Sequence, residues 1–165
     1  MKRILFICTG NCARSVMAEV CFKALQKEAG LAHEVESAGT DVAPGLKPTE
    51  LTLELFRQKK LEANDRGART LTEKMLREAD YVFVMEEKHR EHALKLTPEC
   101  EPKIFLLNEF HPALPAFLKG VGIPDPLGMS GTFYENVYEV IAAACAGILV
   151  RFGDELGYKK RNGTA

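Results

Sequence analysis

The chain has 165 residues, 46% hydrophobic and 27% charged, a balance that excludes a disordered or fibrous protein and fits one folded domain. Lys plus Arg (22) nearly cancel Asp plus Glu (23) to leave a formal charge of −1, so nothing in the bulk charge attracts nucleic acid or an anionic membrane, and any anion site must be local. Five cysteines, an odd number, behind an opening Met1-Lys2-Arg3 and only five apolar residues (Ile4 to Cys8), read as reduced thiols in the cytoplasm and not as a secreted disulfide framework.

In chain order, Arg3 to Cys8 (RILFIC) is a compact apolar run that predicts a strand ending at the turn formers Thr9-Gly10-Asn11. From Ser15 to Ala29, Val16, Val20, Ala24 and Leu25 fall on one helical face, and Gly30 is placed to stop that helix. His33 to Ser37 reads as a weaker strand, followed by a turn-rich loop over Ala38 to Lys47. Pro48 suits the first turn of a helix carrying Leu51, Leu55 and Phe56. Thr70-Leu71-Thr72-Glu73 has capping-box spacing before another short helix. Asp80 to Met85 and Lys103 to Leu107 are two further buried strands, with a helix between them over Glu87 to Leu96.

The last helix has the strongest periodicity: Val137, Val140, Ile141, Ala144, Cys145 and Ile148 repeat at helical spacing, with Thr132 and Glu135 placed to cap its start and Gly153 its end. Its uncharged stretch from Val140 to Val150 suits a buried helix, since a bilayer span needs about 20 residues. Four strands alternating with helices predict an α/β fold: a single-domain four-stranded parallel sheet with helices on both faces, spanning residues 1–157, with a polar, frayed tail over 158–165. Ligands of such sheets collect at the carboxyl ends of the strands near a switch in strand order, and the first strand ends at Cys8.

Cys8-Thr9-Gly10-Asn11-Cys12-Ala13-Arg14-Ser15 is a Cys-x5-Arg-Ser segment between a strand and a helix. A loop that wraps a tetrahedral oxyanion needs small residues so that successive backbone N–H groups can face inward. Gly10 and Ala13 supply that room, and Asn11 tolerates a left-handed backbone. The following helix aims its positive end into the loop, which favours both bound phosphate and a thiolate at Cys8. Ser15 is placed to hydrogen-bond that sulfur, and Arg14 offers a planar fork matched to two phosphate oxygens.

At these residues the chain resembles the low-molecular-weight protein tyrosine phosphatase family. Met17-Ala18-Glu19 continues the likeness, Ser37-Ala38-Gly39 and Gly67 to Thr72 are further landmarks, and Ile123-Pro124-Asp125-Pro126-Leu127-Gly128 is similar to the family's general-acid loop. The likeness covers about residues 2–152. It implies a flavodoxin-like sheet and a cofactor-free, metal-free cytoplasmic phosphatase. Cys8 would be the nucleophile, Arg14 the phosphate-holding arginine and Asp125 the acid, with Thr9, Gly10, Asn11, Cys12, Ala13 and Ser15 lining the phosphate site.

The chain departs from the family's pattern in four places. Ala13 stands where the family's second loop cysteine usually sits, and Cys12 lies one residue earlier; it is either a disulfide partner of Cys8 or only a small loop side chain. By resemblance Cys12 points toward the substrate entrance, where tyrosine-directed members carry an apolar residue and phosphoarginine-directed members a threonine. No aromatic residue occupies Ala38 to Pro48 or Asp125 to Met129, whereas Asp41 lies near the family's substrate wall and would favour a cationic guanidinium. Phe133 and Tyr134 either approach the rim or pack as the start of the last helix. Arg66 stands where many members have a loop-bracing histidine, so hydrogen bonds among Asn11, Ser37 and that position are not expected in their usual form.

His89 and His92 read as a solvated helix face, with no metal site completed around them. The leading expectation is a phosphatase acting on phosphotyrosine in proteins, with a protein-arginine phosphatase as the alternative. Arsenate reduction needs a relay pair of cysteines where only Cys100 occurs, and a non-enzymatic anion or redox sensor would have no use for Asp125. The partner expected is phosphorylated protein or free phosphate, with no nucleic acid or membrane, and the chain is expected to act as a monomer or weak dimer.

Overall fold

The computed structural model describes residues 1–63, 66–115 and 121–159. The elements are β1 (Arg3–Cys8), α1 (Arg14–Glu28), β2 (Glu34–Gly39), α2 (Glu50–Gln58), α3 (Glu73–Glu78), β3 (Tyr81–Val84), α4 (Glu87–Leu96), β4 (Ile104–Leu106), α5 (Gly131–Arg151) and α6 (Gly153–Leu156), with 3₁₀ turns at Pro98–Lys103 and Leu107–Phe110. All four strands are parallel, in the order β2-β1-β3-β4, so β1 pairs on both sides, with Ile4 opposite Val35 on one edge and Tyr81 on the other. A central strand covered on both faces has no solvent side, hence the unbroken apolar run in RILFIC. Ile4, Phe6 and Cys8 face α1 and α5, while Leu5 and Ile7 face the layer that contains Leu76 of α3 and Ala93 of α4.

The chain moves from β1 to β2 on one side, then crosses back past β1 to β3 on the other. The crevice between the carboxyl ends of β1 and β3 is the switch point such sheets use for ligands. Residues 9–13 and Met85–Glu86 emerge there.

Several boundaries differ from the expected ones for physical reasons. Thr70 does not cap α3: Gly39 and Thr70 form a parallel bridge, fixed by Gly39 N–H to Arg69 O and Leu71 N–H to Gly39 O, both 2.8 Å. The cap passes to Thr72, whose hydroxyl accepts from Met75 N–H. Helix α2 likewise starts after Thr49, not at Pro48, because the Thr49 hydroxyl accepts from Thr52 N–H. Ser130, not Thr132, caps α5, and Gly153 opens α6 where it was expected to close α5. Gly30 does end α1, at φ 71° with the Leu31 amide returning to Gln26 O. The 21-residue α5 is long and apolar enough to cross a membrane, yet one face, including Val137, Ile141, Ala144 and Ile148, is buried in the core. Tyr158, expected to open a frayed tail, packs against that core and donates its amide to Gly153 O at 2.7 Å; residues 160–165 lie outside the described ones.

Candidate active site

The loop after β1 folds over the end of the strand it leaves. Asn11 takes a left-handed backbone (φ 53°), which turns its amide onto Cys8 Sγ at 3.3 Å. Its side chain fixes the turn from beneath: Oδ1 accepts from Arg69 N–H at 2.9 Å, and Nδ2 donates to Ser15 Oγ at 2.9 Å and Ser37 Oγ at 2.8 Å. Ser15 Oγ stands 2.9 Å from Cys8 Sγ. Helix α1 begins at Arg14 with no side-chain cap and no acidic residue in its first turn, so its leading amides remain for an anion. Gly39 makes room for the loop: a Cβ there would lie 2.4 Å from Thr9 O and 3.0 Å from Asn11 N.

Arg14 is buried, with 1% of its side chain exposed. Its guanidinium is paired to the Glu86 carboxylate, donates to Ile123 O at 2.9 Å and meets Asp125 Oδ2 at 2.6 Å. Burial pushes the Glu86 carboxyl up, but the hydrogen bond and charge of Arg14, with Lys88 beside it, outweigh that and hold it below the usual range. Glu86 lies two residues beyond the end of β3, so the strand next to β1 aligns the arginine that opens α1. The segment bearing Asp125 is tied to the same place, through Ile123 N–H to Met85 O at 2.8 Å, and Asp125 Oδ1 accepts from Leu127 N–H at 3.2 Å. Asp125 keeps 35% of its side chain exposed, so its carboxylate is open to solvent while Arg14 is not.

The structure brings Cys8, Thr9, Gly10, Asn11, Cys12, Ala13, Arg14, Ser15 and Asp125 to one place and sets Asp41 at its edge. Asp41 N–H bonds Thr9 O at 3.0 Å, with its side chain in solvent. Cys12, expected at the substrate entrance, is a buried side chain. It is 3% exposed and packs over Gly10 beside Leu46, where a Cβ on Gly10 would meet both at 3.3 Å. That burial, followed by the negative charges of Cys8 and Asp125, pushes the Cys12 thiol up to about 11. All five cysteines are free thiols. Tyr134 is buried and Phe133 packs against the core, so both belong to α5 packing.

Three contributors were not expected from the sequence. Glu86 carried no signal beyond its place after β3. Glu19 on α1 is buried and accepts from Ser37, Arg66 and Lys23, and Arg66 also donates to Ser37 Oγ at 3.1 Å, so Arg66 joins the bracing network. His89 is not on a solvated face: it is 1% exposed, its Nδ1 accepts from Glu86 N–H at 3.1 Å, and its Nε2 therefore carries the proton and donates to Thr9 Oγ1 at 2.9 Å. Desolvation, then the charge of Arg14, lowers the His89 ring from 6.5 to about 4. Among the described residues no group of three His, Cys, Asp or Glu is placed to hold a metal ion.

A parallel sheet in the order 2-1-3-4, with a thiol met by the Asn11 amide and the Ser15 hydroxyl at the head of α1 and a buried arginine in the same loop, is the framework of a cysteine-dependent phosphatase. The low molecular weight phosphotyrosine protein phosphatase profile matches residues 3–161, and the chain belongs to that family. It is 35% identical over 107 residues to the protein-arginine-phosphatase of Bacillus subtilis, covering 65% of this chain and 71% of that one. It is also 28% identical over 158 residues to the low molecular weight protein-tyrosine-phosphatase of Streptomyces coelicolor, covering 93% and 95%. Among solved structures, a mutant of YwlE from Bacillus subtilis matches with TM-score 0.82 at 27% identity over 93% of this chain and 99% of that one. The low molecular weight protein tyrosine phosphatase of T. tengcongensis matches with TM-score 0.82 at 30% identity over 92% and 99%. The protein is thus an enzyme of the cysteine-nucleophile phosphatases, and its reaction passes through a cysteinyl-phosphate.

Proposed function

We propose that Cys8 is the nucleophile, Arg14 the phosphate clamp and Asp125 the general acid of a cytoplasmic protein phosphatase that acts, as a monomer or weak dimer, on phosphotyrosine-type monoesters. The observation that carries this is the convergence on one sulfur of the Asn11 amide at 3.3 Å and the Ser15 hydroxyl at 2.9 Å, at the head of a helix whose first residue is the buried Arg14.

Without substrate, Arg14 is shared between Glu86 and Asp125. A phosphate dianion entering the loop competes with Asp125 for Nη2 while Glu86 and Ile123 O keep hold of Nη1. The arginine stays aligned and the Asp125 carboxyl is released to take a proton. The Cys8 sulfur then donates an electron pair to phosphorus as the bond to the leaving oxygen breaks, and Asp125 passes its proton to that oxygen. In the second half, Asp125, now a carboxylate, takes a proton from water. The water oxygen bonds to phosphorus, the S–P bond returns its pair to sulfur, and inorganic phosphate leaves.

The phosphoarginine alternative has its own support in the exposed Asp41 at the loop's edge, the aliphatic Leu127 and Met129 on the acid segment, and the Bacillus subtilis relative. Hydrolysis of an aryl phosphate, a phosphotyrosine peptide and a phosphoarginine peptide in the presence of a chelator decides between the two. Turnover of the first two with complete loss in Cys8→Ser is expected, whereas preference for the third transfers the assignment to the arginine branch. Activity surviving Cys8→Ser would overturn the covalent route.

A further inference from the structure

The polar chain beneath the loop has a determined direction from Glu19 as far as Ser15. A carboxylate can only accept, so at 2.6 Å the Ser37 hydroxyl must give its proton to Glu19 Oε2. The Ser37 oxygen then has only lone pairs left, and these receive Asn11 Nδ2 at 2.8 Å and Arg66 at 3.1 Å. Asn11 cannot flip, because its Oδ1 is held by Arg69 N–H, so its second Nδ2 hydrogen falls on Ser15 Oγ at 2.9 Å. Ser15 Oγ lies 2.9 Å from Cys8 Sγ, and when that sulfur is the thiolate of a nucleophile it can only accept, so the Ser15 proton points to it. Glu19 itself is 2% exposed, gripped by Arg66 at Oε2 and by Lys23 at Oε1, 2.6 Å away.

We propose that Glu19 is a positioning residue for the nucleophile: through Ser37 and Asn11 it orders the proton of Ser15 toward the Cys8 sulfur, four side chains away. The inference rests on Cys8 being the nucleophile, but it concerns the sulfur's readiness and not its substrate. If the acceptor at position 19 is lost, the Ser37 proton turns toward Asn11, where it meets an N–H donor and drives the amide off Ser15. The sulfur then loses its hydroxyl donor.

The test reads alkylation of Cys8 by iodoacetate, which needs no substrate, alongside thermal melting. Wild-type hydrolysis with its Cys8→Ser control is run in parallel, so failure of the phosphatase assignment appears there and not in the alkylation series. Glu19→Met, which fills the space without an acceptor, is expected to slow alkylation at pH 6 about tenfold and to recover toward the wild-type rate at pH 9. Glu19→Gln, which can still offer Ser37 an oxygen by turning its amide nitrogen to the solvent side held by Lys23, should stay within about threefold of wild type. Ser37→Ala removes the errant proton as well as the acceptor, so it should cost about threefold, and adding Glu19→Met to it should cost nothing more. Should Glu19→Met fail to fold, the Ser37→Ala background carries the same comparison. Melting losses with wild-type alkylation at pH 6, or losses that simply add in the double variant, would overturn the proposal and leave Glu19 a buried ion pair of the scaffold.

Discussion

At the scale of single residues, the centre is defined by which carboxylate holds which part of Arg14. In the proposed mechanism Glu86 keeps its grip when phosphate arrives, while Asp125 is displaced and becomes the acid, so replacing Asp125 should have two separable effects. Asp125→Asn should lower kcat about a hundredfold on a phosphotyrosine peptide but less than about tenfold on an aryl phosphate whose phenol leaves without a proton. The same change removes Arg14's competing anion, so inorganic phosphate should inhibit the variant severalfold more tightly. Equal slowing on both substrates, with unchanged phosphate inhibition, would remove Asp125 from both roles. Arg14→Lys keeps the charge but loses the fork that serves Glu86 and Ile123 O on one nitrogen and Asp125 on the other. Turnover should fall about a thousandfold while the fold survives, as measured by steady-state kinetics beside circular dichroism.

At the scale of elements, period and composition were enough to place every strand and helix core except the short α6, because each buried face repeats within one short segment. Caps were less legible, because a cap is decided by what else competes for the residue. Thr70 has the right spacing to cap α3, but its backbone is used in the bridge to Gly39, a pairing between segments thirty residues apart. The edge strand β2 shows the same dependence: its weak strand pattern, with Glu34 and Glu36 facing Arg3 and Arg69, is that of an unpaired edge guarded by charge. Close approaches are equally silent in sequence. Gly147 in α5 looks like an ordinary helix-weakening glycine, yet a Cβ there would lie 1.8 Å from Phe110 O. Gly147→Ala should therefore destabilise the protein by at least about 2 kcal/mol in spite of its better helix propensity, lowering Tm by about 4–8 °C. A raised Tm would mean that α5 and the 3₁₀ turn at Leu107–Phe110 are not in contact.

At the scale of the whole molecule, the local half of the site was readable and the long-range half was not. Cys8 to Ser15 is one contiguous loop, and Asp125 was named through the resemblance of Ile123 to Gly128 to a general-acid loop, since Pro-Asp-Pro by itself reads as a turn. Glu86, Glu19 and His89 act from other elements, 72, 18 and 80 residues away from their partners, and only the strand order brings them together. His89 shows what that hidden half does to stability. Its ring is neutral in the fold because it is dry and lies near Arg14, and because Nδ1 must stay bare to accept from Glu86 N–H; an unfolded chain imposes none of this. Between an ordinary 6.5 and about 4 the unfolded state binds a proton that the native state refuses, so stability falls as pH drops through that window and levels off below it. The span corresponds to about 3 kcal/mol at most. The carboxyl of Glu86, held low by Arg14, adds a loss of the same sign further down. Urea unfolding at pH 7.5 and pH 4.5 should therefore give a markedly smaller free energy at the lower pH. His89→Gln, which cannot titrate but can keep a hydrogen bond to Thr9, should flatten the profile above pH 5 while lowering its plateau; a variant with the wild-type slope would place the pH dependence elsewhere in the molecule.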